Sequence, residues 1–187
     1  MTGTTHAVVG AATALATACL VSGSLSVEAG TSIAVAGMAG GVLADIDLKQ
    51  SKAATWTRYG IAICVIGLVV TIVTGSKVRL NAATLGGLAL FVALAIWGMQ
   101  SPHREKTHSL VFAIGFSVAI YLAGGYALAF GLGYLSHLAI DFPNKKGECL
   151  LWPLPKRFCL GLCGADGIVS KCLCALGCVV CAACLIV

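Results

Sequence analysis

Residues 109–141 read SLVFAIGFSVAIYLAGGYALAFGLGYLSHLAID, and this run decides the fold. It carries no acidic or basic residue before His137, yet it is too long for one straight membrane span of about 20 residues. Gly124-Gly125 divides it into two segments of roughly 15 and 16 residues, and paired glycines are where helices break or kink. The run therefore predicts a helical hairpin, with a single kinked, tilted helix as the rival. It ends in His137-x-x-x-Asp141, an imidazole and a carboxylate about one helical turn apart on one face.

The rest of the chain follows this pattern. Of its 187 residues 59% are hydrophobic and 10% charged, against about 25% charged in soluble domains. Mean hydropathy is +0.98. Further apolar stretches at 7–27, 31–47, 59–75 and 83–99 predict four spanning helices, and 172–187 predicts an apolar, cysteine-rich C-terminal helix. The fold class is thus all-α, a polytopic transmembrane helical bundle. Residues 1–160 read as one membrane-embedded domain and residues 161–187 as a separate C-terminal segment. The 23 glycines suit membrane helices, where small residues allow close approach. The first 25 residues lack a basic stretch ahead of the apolar run, so they read as a retained helix rather than a cleaved signal.

Alternating the spans across a bilayer puts residue 6, residues 45–58, 100–108 and 137–158 on one side. That side holds Lys49, Lys52, Arg58, Arg104, Lys106, Lys145, Lys146, Lys156 and Arg157, while the other has Lys77 and Arg79. By the positive-inside rule the richer side is cytoplasmic. The rule also accounts for the net charge of +5 without a nucleic-acid partner, for which no motif is present.

All four histidines and three of the four aspartates fall on that same side. Imidazole and carboxylate together suit hard or borderline divalent cations. The candidate metal ligands are His6, Asp45, His103, His108, His137 and Asp141. Asp45 and Asp47 end their helix, where the macrodipole disfavours a carboxylate and a compensating cation would relieve it. If the helix continues through both, they point roughly 200° apart, leaving Asp45 facing inward and Asp47 outside the ligand shell or paired with Lys49. Arg104 could fork onto an anionic oxygen, and Asp47 or Glu105 could act as general base toward a water. The bland readings are a capped histidine at His137, solvated loop acids at Asp45 and Asp47, and a solvated loop at 103–108.

Ten cysteines suggest a disulfide framework, but thiols on a cytoplasmic side stay reduced. Cys178-x-x-Cys181-x-x-Cys184 has the spacing of an iron–sulfur or zinc site. Inside an apolar helix, however, small cysteines pack like alanine. Packing is the favoured reading, ahead of a cluster or lipidation of Cys159, Cys163 or Cys172.

Taken together, His6 at the head of the first helix, Asp45-Ile46-Asp47, His103-Arg104-x-x-Thr107-His108-Ser109, His137-x-x-x-Asp141 and the stretch from Leu151-Trp152-Pro153 to Arg157-Phe158 form a pattern. In it the chain resembles the LexA-regulated bacterial inner-membrane proteins described as predicted metal-dependent hydrolases, over about residues 1–160. The ligand pattern is also similar to that of zinc-dependent phospholipase C and related nucleases. The resemblance implies one or more divalent ions, zinc the expected one, and hydrolysis of a phosphoester at the membrane surface. Two departures stand out: Glu105 follows Arg104 where glycine is common, and Ala44 precedes Asp45 where proline is common.

Three functions compete. The expected one is a membrane-bound hydrolase acting on a phosphoester of a lipid or lipid-linked substrate at the cytoplasmic face, within the lipid bilayer. A metal or ion transporter would need ionisable groups near the bilayer midplane, and the spans carry almost none there. A non-catalytic protein with a structural metal would close its ion with four ligands, fewer than the candidates present.

Overall fold

The computed structural model describes residues 1–74 and 81–186; for Cys64 and residues 67–74 it describes the backbone alone. Lys77, Arg79 and the end of the expected 59–75 span lie outside the described residues. Among those residues are seven α-helices: α1 (Gly3–Ser22), α2 (Val27–Leu43), α3 (Lys52–Thr74), α4 (Ala82–Met99), α5 (Leu110–Leu122), α6 (Ala127–Asp141) and α7 (Ile168–Ile186). A 3-10 turn, Ala44–Asp47, follows α2. Among the described residues there is no strand, only two isolated bridges in the loop after α6.

Side-chain caps set several helix starts. Thr2 accepts from the Thr5 amide at 3.2 Å, so α1 begins ahead of its apolar run. Ser26 caps α2, Asn81 caps α4 and Ser109 caps α5 in the same way.

Among the described residues four helical stretches are long and apolar enough to cross a membrane: Gly3–Ser22, Val27–Asp47, Ala82–Met99 and Ile168–Ile186. Leu20, Ile63, Ile114, Leu128, Val179 and Ile186 point outward, each more than half exposed. Such a surface fits lipid rather than water, and the protein is associated with a bilayer. Helices α5 and α6 are the expected hairpin, turning at Gly124 with φ +83°. At 13 and 15 residues they reach about 20 and 22 Å, short of a hydrocarbon core of about 30 Å.

Small residues bring the inner helices together. A Cβ on Gly37 (α2) would lie 2.6 Å from both the Gly10 carbonyl oxygen and the Ala14 Cβ of α1. Gly40 and Gly133 meet the backbones of α6 and α2 in the same manner. Without side chains at these points α1, α2 and α6 close up, and His6, Gly41 and His137 come within reach of one another. Below them lies the core of Leu43, Ile46, Phe112, Phe116, Phe130 and Tyr134.

Candidate metal centre

The α-helical path stops at Leu43 and tightens into the 3-10 turn that carries both aspartates. The expectation that a continuing helix turns only one of them inward does not hold. Asp45 Oδ1 lies 3.7 Å from His108 Nε2, and Asp47 Oδ2 lies 3.5 Å from His108 Nδ1. The two carboxylates hold one ring from opposite sides, because the cluster sits past the helix end rather than on its face.

Hydrogen bonds assign the ring protons. His137 Nδ1 faces the Gly41 carbonyl at 2.7 Å and must donate to it, which leaves Nε2 bare. Thr107 Oγ1 donates to Asp47 Oδ2 at 2.8 Å and so accepts from His108 Nδ1 at 3.2 Å. With a neutral ring, the Nε2 of His108 is then bare as well. The two Nε2 atoms face each other at 3.3 Å. Two lone pairs do not rest at that separation without a proton or a metal ion between them. Asp45 Oδ1, 3.9 Å from His137 Nε2, completes a triangle of donors.

His6 stacks on His137, with ring centroids 3.6 Å apart and planes at 16°. Its Nε2 lies 3.1 Å from Asp141 Oδ1, and its Nδ1 is buried with no partner among the described residues. Asp141 also accepts from the Met1 amino group, from Arg104 Nη2 and, at 2.7 Å, from Asn144. His103 Nδ1 sits 2.9 Å from Asp47 Oδ1, and its ring is about one-third exposed.

The three residues expected to act on substrate are placed differently from one another. Asp47 is buried and engaged on both oxygens by His103, Thr107 and the Arg104 amide. Arg104, at φ +63°, is buried, with Nη1 donating to the Lys146 carbonyl at 2.7 Å and Nη2 to Asp141. Glu105 is half-buried and belongs to none of the donor groups below.

Sequence reasoning missed Glu148. Its side chain is fully buried, neither carboxylate oxygen has a hydrogen-bond partner among the described residues, and Oε1 is 3.9 Å from Arg104 Nη1. Its backbone is pinned by paired bonds with Phe158 at 3.0 and 2.9 Å. Burial, and next the charge of Asp141, push its carboxyl up to about 8, with Arg104 opposing. A lone acid in a basic loop carries no spacing signal that would have singled it out.

Among the described residues three groups of side chains could hold a metal ion: His6, Asp45 and His137; Asp45, His103 and His108; His108, His137 and Asp141. Within each, the donor atoms lie within 4.8 Å of one another. The six expected ligands thus meet in one cluster. Among the described residues no cysteine belongs to any of these groups. Beside the cluster opens a groove of about 1320 Å³, walled at one end by Asp45, His103 and Asp141 and further in by apolar side chains.

The chain belongs to the YdjM inner membrane protein family, whose model matches residues 1–187, the cysteine-bearing tail included. No curated protein and no solved structure matches it.

Proposed function

We propose that this protein is a membrane-bound metal-dependent hydrolase that cleaves a phosphoester of a lipid or lipid-linked molecule at the cytoplasmic face. The observation that carries the reading is the pair of bare Nε2 atoms of His108 and His137, 3.3 Å apart with Asp45 Oδ1 beside them. The point equidistant from three atoms so spaced is about 2.1 Å from each, within the roughly 2.0–2.2 Å of zinc bonds to nitrogen and carboxylate. Asp45, Asp47 and Asp141 bring three negative charges against the two positive charges of Arg104 and the Met1 amino group, and the remaining negative charge favours a cation. The partners of the far ring nitrogens, the Gly41 carbonyl and the Thr107–Asp47 pair, are of the kind that orient metal-binding histidines.

When bound, the ion would supply Lewis acidity, making a water more acidic and screening phosphate charge. The chain's own groups do the rest. His103, oriented by Asp47 through Nδ1, offers Nε2 as the base that takes a proton from the attacking water. The water oxygen bonds to phosphorus, the ester P–O bond breaks, and the departing oxygen takes up a proton. Lys52, Lys145 and Lys146 line the groove and hold the phosphate. Arg104 is a positioning residue, fixing Asp141 from a buried seat. The nine cationic side chains on the site-bearing connections support the cytoplasmic placement. Donors lying at helix ends favour surface chemistry over transport through the midplane.

The test is phosphate release from phosphatidic acid, and headgroup release from phosphatidylglycerol, in vesicles containing the purified protein. Activity that a chelator removes and zinc restores, and that is absent in a His108→Ala, His137→Ala double variant, supports the reading. Activity unaffected by either treatment, or its absence across lipids and added divalent metals, overturns it.

A further inference from the structure

The groove beside the donor cluster has a polarity gradient. Its outer end carries Lys52, Lys145, Lys146 and the site acids, while its inner walls of Val35, Met38, Ile61, Leu88, Phe91 and Ile120 carry no charge. Four helices give its depth independently. Val35 is ten residues from Asp45 on α2 and its turn, Ile61 is nine from Lys52 on α3, Leu88 is eleven from Met99 on α4, and Ile120 is ten from Leu110 on α5. At a rise of 1.5 Å per residue each comes to about 13–17 Å. That is half of a hydrocarbon core of about 30 Å, the depth of one leaflet.

The groove also has a side. Among the described residues helix α3 packs only lightly on α2 and α4, whereas α1, α2 and α6 are tightly joined. The wall between α3 and its neighbours is therefore where a molecule already in the bilayer can enter without leaving it. A volume of about 1320 Å³ exceeds the roughly 300–1,000 Å³ usual for small-molecule pockets.

We infer that this groove seats one hydrocarbon chain of an anionic, phosphate-headed lipid drawn sideways from the site-side leaflet, with its head against Lys52, Lys145 and Lys146 and its tail between α2, α3 and α4. The inference rests on the hydrolase reading for what happens to the head, and stands apart from it for where the tail lies. A charged head at the basic end and a tail in the uncharged end match the gradient, and a tail one leaflet long matches the depth. A soluble phosphoester would leave the inner walls unfilled, so the hydrocarbon chain contributes to selection of the substrate.

The experiment uses phosphatidic acid bearing a diazirine at mid-chain, in phosphatidylethanolamine vesicles holding the full-length protein, with the adducts mapped by mass spectrometry. Labelling is expected on Met38, Ile61 and Phe91. Ala39→Phe fills the groove from an exposed alanine in its wall and should lower this labelling several-fold with metal content unchanged. Ala39→Ser leaves the space open and should keep it. The inference is overturned if adducts fall only on outward-facing residues such as Ile114 and Leu128, or if Ala39→Phe labels as the parent does. Equal labelling by phosphatidylcholine with the same tail, or a groove occupied by a second copy of the chain, overturns it too. Groove labelling without phosphoester cleavage would refute the hydrolase reading and leave this one standing; cleavage with an unlabelled groove would do the reverse.

Discussion

The Gly41 carbonyl accepts a hydrogen bond from His137 Nδ1 at 2.7 Å, while the Gly41 Cα lies against the His6 carbonyl with no room for a side chain. One glycine thus orients one candidate ligand and lets the helix bearing another approach. The obstacles to a Cβ there are backbone atoms of His6 and Gly10, which cannot swing aside. Gly41→Ala should destabilise the fold by about 1–3 kcal/mol and lower metal content. Denaturant titration in detergent beside elemental analysis checks both.

Thr107 lies between Asp47 and His108, donating to the first and accepting from the second. Thr107→Val keeps the shape and removes the relay, so the His108 ring loses the bond that directs its Nε2 toward His137. Metal affinity should fall about 10–100-fold, beside a loss of about 1–3 kcal/mol in stability from the buried partners left unpaired. Zinc titration against a competing chelator measures it; affinity equal to the parent's would count against the assigned tautomers.

Glu148 gives a pH dependence of known sign. Its carboxyl titrates near 4.5 when unfolded and at about 8 when folded, so the folded state holds the proton more tightly. Between those values the native protein binds more protons than the unfolded chain, and stability falls as pH rises. The contribution is fully present below about 4.5 and lost through 8, amounting to no more than about 5 kcal/mol. Glu148→Gln mimics the protonated form and should flatten this slope. Unfolding midpoints of parent and variant between pH 5 and 8.5 decide it; parallel slopes would refute the assignment.

In α7 Cys178 is exposed, Cys181 and Cys184 are partly buried, and none belongs to a potential metal group. Changing all three to alanine should leave metal content and phosphoester cleavage within error of the parent. Loss of metal in that variant would move the site to the tail.

The helices were legible because apolar runs and the Gly124-Gly125 break are local signals. The meeting of His6, Asp45, His108 and His137 was legible only through threading, since no spacing joins residues so far apart. The start of α1 was less so, because a single hydroxyl at Thr2 extends it past its apolar stretch. Asp47 was misjudged in direction: the 3-10 turn after Leu43 depends on packing against the 103–108 loop. Glu148 and the groove were not legible at all. The first owes its burial to a loop folding over Arg104, and the second exists because α3 stands off from its neighbours.

The most direct test of the metal site is elemental analysis of the purified protein and of a His137→Ala variant, prepared side by side without added metal. The account predicts at least one equivalent of a divalent ion, zinc foremost, in the parent and its loss in the variant. A parent that stays metal-free after incubation with zinc, or a variant that retains the ion in full, would contradict it.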